Sequence, residues 1–368
     1  MIGDKEIRTI AGSFQAQGRC IDCMPYGHGH IHQTYLARFQ TDHGVRDYIL
    51  QQINSAVFRD PPAMMENILL VTSHIRQKLE AIGCQDIARQ VLTVVPDATG
   101  MPYYLDERGR FWRMYVFVED SMAVEMPQDC RQVYQAAMAF GRFDAVLADL
   151  PAARLHQTIP AFHDGRARLS QLMEVLRSDP LNRAIQAKPE IDFILGHSRI
   201  LLEPSELLNA GAIRPQATHN DTKVNNVLLD RKTGQGLCVI DLDTVMEGVW
   251  LYDLGDILRT TCSVAAEDEQ DLTKVQICMD RYKAAVKGFI EGSQGRIGPD
   301  QYRYISLSGQ FMALIMATRF LTDFIAGDRY FKISRPSQNL DRCRCQCRLV
   351  ASMLQQAGQI DAVIASAV

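Results

Sequence analysis

The sequence predicts an α+β fold in two lobes, a small antiparallel β-sheet lobe followed by a larger, mainly helical one. Three observations carry this. The chain has 368 residues, more than one small core needs, which suits two domains. Short apolar runs of β type dominate up to about residue 118, where the first lobe should end. Helical periodicity dominates from Val133 onward, so residues 119–368 read as the second lobe. The composition is that of a soluble globular protein, 47% hydrophobic and 22% charged without a long all-apolar run. A net charge of −4 argues against nucleic acid as a partner. The start Met1-Ile2-Gly3-Asp4-Lys5-Glu6 lacks an apolar signal core, so a cytoplasmic protein without a membrane partner is expected.

Taken in order, residues 6–17 should form a first helix. Two strands, Cys20 to Tyr26 and Thr34 to Phe39, should flank a turn that includes Gly27, His28, Gly29 and His30. Gly27 and Gly29 can bring backbone N–H groups close to a phosphate, although such glycines also serve plain hairpins. His30 is either a satisfied polar residue or a ligand contact beside that loop. Asp47 to Asn54 is the next strand and carries Gln51, and the helix Pro61 to Ala81 carries Glu66 near its start. Trp112 to Glu119 reads as the last strand of the small lobe and a hinge. There the backbone of Phe117, Val118 and Glu119 either meets adenine or belongs to an ordinary buried strand. Val133 to Leu150 is an amphipathic helix, and residues 151–217 are helical but broken at Pro160, Pro180, Pro189 and Pro204.

The most specific stretch is Thr218-His219-Asn220-Asp221-Thr222-Lys223-Val224-Asn225-Asn226, then Val227-Leu228-Leu229, a turn, and Cys238-Val239-Ile240-Asp241. These polar residues are also ordinary turn formers. Their spacing is what sets them apart. His-x-Asp-x-Lys-x-x-Asn, followed by a hairpin ending in Asp, is the catalytic and metal segment of a protein-kinase-like fold. Asp221 can accept the proton of an attacking hydroxyl, and Lys223 can hold the γ-phosphate of ATP. Asn226 and Asp241 can offer oxygen to Mg²⁺ on the nucleotide phosphates, since that small hard cation takes oxygen ligands. Kinases normally place a lysine for the α- and β-phosphates where Gln51 stands, and Glu66 would pair with that lysine. Here Gln51 brings a donor but no charge.

Only twelve positions separate Asp241 from Asp253, too few for a peptide-docking segment, so a small-molecule acceptor is expected. Helices should follow at Leu272 to Glu291, Pro299 to Phe331 and Arg342 to Ala357. Arg319, on an apolar helix face, must either form an ion pair with an acid such as Asp253 or Asp256, or bind substrate oxygen. The ten cysteines include Cys20-x-x-Cys23 and the Cys343, Cys345, Cys347 cluster; reduced structural thiols are expected rather than a metal cluster.

On these residues the chain resembles the aminoglycoside phosphotransferase and choline kinase group, and within it the N-acetylhexosamine 1-kinases. The likeness is carried by Pro25 to Ile31, Tyr48 to Asn54, Glu66-Asn67-Ile68, the 218–226 loop, Ile240 to Thr244, and Glu267-Asp268 with Asp271-Leu272. It implies ATP-dependent, Mg²⁺-dependent phosphorylation of the anomeric hydroxyl of N-acetylglucosamine or N-acetylgalactosamine. It further implies Asp221 as base, Asn226 and Asp241 as metal ligands, Lys223 as a phosphate contact, and His30 and Arg319 as sugar contacts. Gln51 in the lysine place is then a subgroup trait. His32 stands where relatives often have Asn, a further candidate sugar contact. Other acceptors (a hexose, an aminoglycoside, choline, an amino alcohol) and a catalytically silent nucleotide-binding protein are the alternatives.

Overall fold

The computed structural model describes residues 3–27 and 31–367. The chain divides into two compact units, Met1–Ser121 with Arg154–Ile159 and Cys238–Val245, and Met122–Ala153 with Pro160–Leu237 and Met246–Val368.

The first unit is built on α1 (Asp4–Ala11), β1 (Arg19–Pro25), β2 (Gln33–Thr41), β3 (Gly44–Gln52), α2 (Pro61–Ala81), α3 (Ile87–Gln90), β4 (Val94–Val95), β5 (Tyr104–Leu105) and β6 (Phe111–Val116). The strands make one antiparallel sheet in the order β1-β2-β3-β6-β4, with β5 also on β6. Alternation along β3 and β6 sends Tyr48, Leu50, Trp112 and Met114 into a core with Ile7, Phe14 and Phe39. Directly opposite residues share a face, so the register Gln51↔Arg113 sets those two polar side chains side by side on the other face. The first helix ends at Ala11, well short of residue 17. The chain turns at Gly12, and Phe14 leaves the helix to bridge Asp97 and fill the sheet core.

Helix α2 starts and stops where the sequence predicts. Asp60 accepts the Ala63 N–H at 3.1 Å as N-cap, and Pro61 occupies the first helical position, where its missing N–H costs nothing. Buried Asn67 ties in both segments that return to this unit. Its amide donates to the His156 carbonyl at 2.8 Å and to the Val245 carbonyl at 3.0 Å, and its oxygen accepts the His156 N–H.

The second unit is mainly helical: α4 (Cys130–Leu147), α5 (Gly165–Ser178), α6 (Lys188–Gly196), α7 (Ser198–Asn209), α8 (Trp250–Thr261), α9 (Met279–Gly292), α10 (Ile305–Ala326), α11 (Gln338–Gln355) and α12 (Ala357–Ala367). Among the short strands, β7 (Ser121–Ala123) and β10 (Gly236–Val239) each run across a boundary between the units, β9 (Val227–Asp230) lies within the second, and there β8 (Gln216–Thr218) pairs with β11 (Met246–Gly248). The expected helix from Leu272 begins only at Met279, after a single 3₁₀ turn capped by Asp271. That from Pro299 begins at Ile305 and ends at Gly327, whose φ of 102° suits glycine alone. The helical segment Tyr302–Ala326 is long and apolar enough to cross a membrane by composition, yet 83% of its most apolar window is buried, as in a core helix. Gly141, Gly288 and Gly292 let α4 and α9 touch through their backbones; a Cβ on Gly288 would lie 2.3 Å from the Tyr134 carbonyl oxygen.

Candidate active site

In the second unit β8 delivers the chain into the loop His219–Asn226. Asp253, on α8, anchors it. Its two carboxylate oxygens accept the N–H groups of His219 at 2.7 Å and Asn220 at 2.6 Å, and its carbonyl accepts the Thr222 hydroxyl at 2.6 Å. Asn220 takes a left-handed backbone, φ 65°, which the twin clamp makes tenable. The His219 ring lies buried edge-on to Phe140 and Phe143 and accepts the Asp221 N–H on Nδ1, the supporting place expected for that histidine. Beneath Asp253, the wholly buried Asp144 is a partner that sequence reasoning missed. Burial first, and the Asp253 charge second, push the Asp144 carboxyl well above the usual range, so it keeps its proton beside Asp253.

The loop presents Asp221 and Lys223 together, Nζ to Oδ1 at 2.9 Å. Burial works to raise the Asp221 pKa, but the Lys223 charge prevails and holds it below the ordinary carboxylate range; Asp221 in turn raises Lys223. Asp221 is therefore held as the ionised carboxylate beside the Lys223 ammonium. Asn226 spends its amide N–H₂ on the Asp221 carbonyl at 2.8 Å and carboxylate at 3.3 Å. Its oxygen is thereby oriented as an acceptor, the group a hard cation would use.

Arg319 forms no ion pair with Asp253, Asp256 or any other carboxylate among the described residues. Its guanidinium sits over the rings of Phe162 at 4.8 Å, Phe331 at 5.4 Å and Tyr330 at 5.6 Å, and donates to the Tyr330 hydroxyl at 3.4 Å. Burial and then the Arg319 charge bring the Arg168 pKa down to about 10. Arg319 itself is lowered by burial, with Asp221 working in the opposite direction. His163, held neutral by burial with its pKa pushed down to about 3, donates Nε2–H to the Asn220 carbonyl at 2.8 Å.

In the first unit Asp241 opens a turn after β10 with φ 59° and ψ 54°, again left-handed. Two residues on, buried Asp243 is gripped twice. His32 Nε2 donates to Oδ2 at 2.5 Å, and its Nδ1 accepts the Asn54 N–H at 3.1 Å, which fixes the tautomer. The Arg113 guanidinium takes both carboxylate oxygens of Asp243, and its Nε donates to the Gln51 oxygen at 2.9 Å. His32, expected as a sugar contact, thus has both ring nitrogens engaged within this unit and its ring stacked on Phe58. His32, Asp241 and Asp243 bring one ligand atom each within 4.8 Å of one another. His32 and Asp243 are already committed to each other and to Arg113, so the group reads as an ion-paired network beside Asp241. A carboxylate such as that of Asp241 is a ligand type that Mg²⁺ takes.

Gln51 donates its own N–H₂ to the Thr34 hydroxyl at 3.0 Å. Glu66 meets His156 at 2.8 Å on the surface. In the hinge stretch, Phe117 N–H bonds the Asp47 carbonyl, the Val118 carbonyl accepts the Ser121 hydroxyl, and the Glu119 carbonyl accepts from Arg89. Gly27 has φ 73° and open space about it. The expectations for Gly29 and His30 lie outside the described residues.

Residues 22–284 match the profile of a family described as the phosphotransferase enzyme family, APH. Among solved structures the chain is similar to an aminoglycoside phosphotransferase from Alicyclobacillus acidocaldarius, with 14% identity, TM-score 0.60, and 100% of this chain and 95% of that one covered. It is also similar to a spectinomycin phosphotransferase solved with ADP and spectinomycin (13%, 0.57, 97% and 99%). A choline kinase from Cryptosporidium parvum is a third (12%, 0.50, 93% and 91%). At these identities the likeness shows a shared fold, the protein-kinase-like α+β fold.

Proposed function

The chain belongs to the phosphotransferase enzyme family, and from that premise we propose that it phosphorylates the anomeric hydroxyl of an N-acetylhexosamine, N-acetylglucosamine or N-acetylgalactosamine, with ATP as donor, in the cytoplasm. The observation that supports a neutral, oxygen-rich acceptor is Arg319. Its guanidinium already fills the aromatic frame of Phe162, Tyr330 and Phe331, and Arg168 adds a second cation nearby. A quaternary ammonium or a polyamine would meet two like charges where it needs carboxylates or an empty ring cage. A sugar hydroxyl or acetamide oxygen would instead accept from the guanidinium.

In this reading Asp221 receives the proton of the acceptor hydroxyl as its oxygen bonds to the γ-phosphorus and the bond to the bridging oxygen of ADP breaks. Lys223 holds Asp221 ionised and lies ready for phosphate oxygen. Asn226 and Asp241 would hold Mg²⁺, which when bound neutralises charge on the phosphates. Gly27, Gly29 and the Phe117–Glu119 backbone serve the nucleotide, and His30 the sugar.

The test is a coupled ADP-release assay over both N-acetylhexosamines, free hexoses, choline and kanamycin, with ³¹P NMR of the product. A sugar 1-phosphate from an N-acetylhexosamine is expected, at a kcat/KM on the order of 100-fold or more above choline, a gap of roughly 2.7 kcal/mol. Phosphorylation of choline or kanamycin in preference to the sugars would refute the assignment. Asp241→Asn should abolish turnover and leave the melting temperature within a few degrees.

A further inference from the structure

Kinases of this fold type place a lysine on the third strand and pair it with a glutamate on the following helix. Here neither partner is used in that way. Residue 51 is a neutral Gln, and Glu66 stands 68% exposed on the surface with His156. The charge has not vanished from this face of the sheet. Arg113, directly opposite Gln51 in the β3–β6 register, is 1% exposed and sits in an otherwise apolar strand. Each of its polar partners is built in: Gln51 accepts at Nε, and Asp243 accepts at both terminal nitrogens. Gln51 is itself fixed by Thr34, and Asp243 by His32. A buried guanidinium held this way is oriented rather than exchanging among partners.

What the clamp restrains is the short turn 241–243. Asp241 has a left-handed backbone, costing on the order of 1 kcal/mol or more for a non-glycine residue, and such a conformation persists only where its surroundings over-determine it. The double grip on Asp243 does so from two residues away.

We infer that Arg113 is a positioning residue: it supplies from β6 the fixed positive charge that a lysine at position 51 would supply from β3, and through Asp243 it sets the Asp241 carboxylate toward the cation of the bound nucleotide. The inference rests on the proposed reading of Asp241 as a ligand of that cation. It makes Gln51 a support for the relocated charge rather than a weakened copy of the lysine.

Two charge-balanced variants test it without stranding a buried ion. Arg113→Met/Asp243→Asn removes the clamp as a pair; Gln51→Lys/Arg113→Met returns a cation to the lysine place beside Asp243. ADP is titrated calorimetrically into each purified protein over a series of MgCl₂ concentrations, with thermal melting by circular dichroism as the check of folding. The first variant should need at least tenfold more MgCl₂ for half-maximal ADP affinity at an unchanged Mg²⁺-free affinity, and the second should recover most of that loss. Wild-type MgCl₂ dependence in the first variant overturns the inference, and so does a second variant as impaired as the first. Failure of the unaltered protein to bind ADP at any MgCl₂ concentration would instead overturn the nucleotide reading of the whole site, and the inference with it.

Discussion

At the residue scale, the loop that carries Asp221 stands on Asp253, with the buried carboxyl of Asp144 beside it. Asp253 accepts two backbone N–H groups, and buried Asp144 beside it is held as the neutral acid. A carboxyl whose folded pKa lies above its unfolded value, about 3.9, stabilises the fold fully below that value and loses the contribution as pH rises toward the folded pKa. Asp144→Asn keeps the size of the side chain and has no proton to lose. Its melting temperature relative to the unaltered protein should therefore climb as pH rises above about 4 toward the raised folded pKa of Asp144. A constant offset over that range would show that Asp144 does not titrate. The motif residues His219, Asp221, Lys223 and Asn226 were legible because they lie within eight positions and chemistry dictates their spacing. The His32–Asp243 and Arg113–Asp243 pairs span 211 and 130 positions. No local pattern announces such pairs, and Arg113 inside Phe-Trp-Arg-Met-Tyr-Val reads simply as part of a buried strand.

At the scale of elements, boundaries were legible where a cap is written in the sequence. Asp60-Pro61 marks the start of α2 to the residue. Where apolar spacing alone was followed, starts slipped by several residues: α9 begins at Met279 because Leu272–Lys274 closes a single 3₁₀ turn on the Asp271 side chain. The packing of α4 on α9 was not legible, since glycines inside helices look like weak points in the sequence alone. In the structure they are where the two helix backbones meet. Gly288→Ala should thus destabilise the second unit by about 1–3 kcal/mol through overpacking, although alanine is the better helix former. Chemical denaturation checks this, and a stabilised variant would mean that α4 and α9 are not so closely apposed.

For the whole molecule, the α+β fold with an antiparallel sheet followed by helices was readable from the change of periodicity along the chain. The assignment of residues 154–159 and 238–245 to the first unit was not, because the contacts that tie them there, such as those of Asn67 with both segments and of Arg113 with Asp243, join residues far apart in the sequence. Function was readable to the level of the phosphotransferase enzyme family through one loop and one strand end. In the proposed reading the acceptor is chosen by side chains such as Arg319, Phe162 and Tyr330, gathered from distant elements, and sequence left the role of that arginine open between an ion pair and a ligand contact.

The account as a whole depends on Asp221 as the group that takes the acceptor's proton. The most direct measurement is the steady-state kcat of Asp221→Asn with N-acetylglucosamine and ATP, set beside its calorimetric affinity for ADP. Loss of a positioned general base should lower kcat by roughly 10²–10⁴-fold, about 3–5 kcal/mol in the barrier, with ADP affinity within a few-fold of the unaltered protein. A kcat within tenfold of the unaltered enzyme would contradict the account.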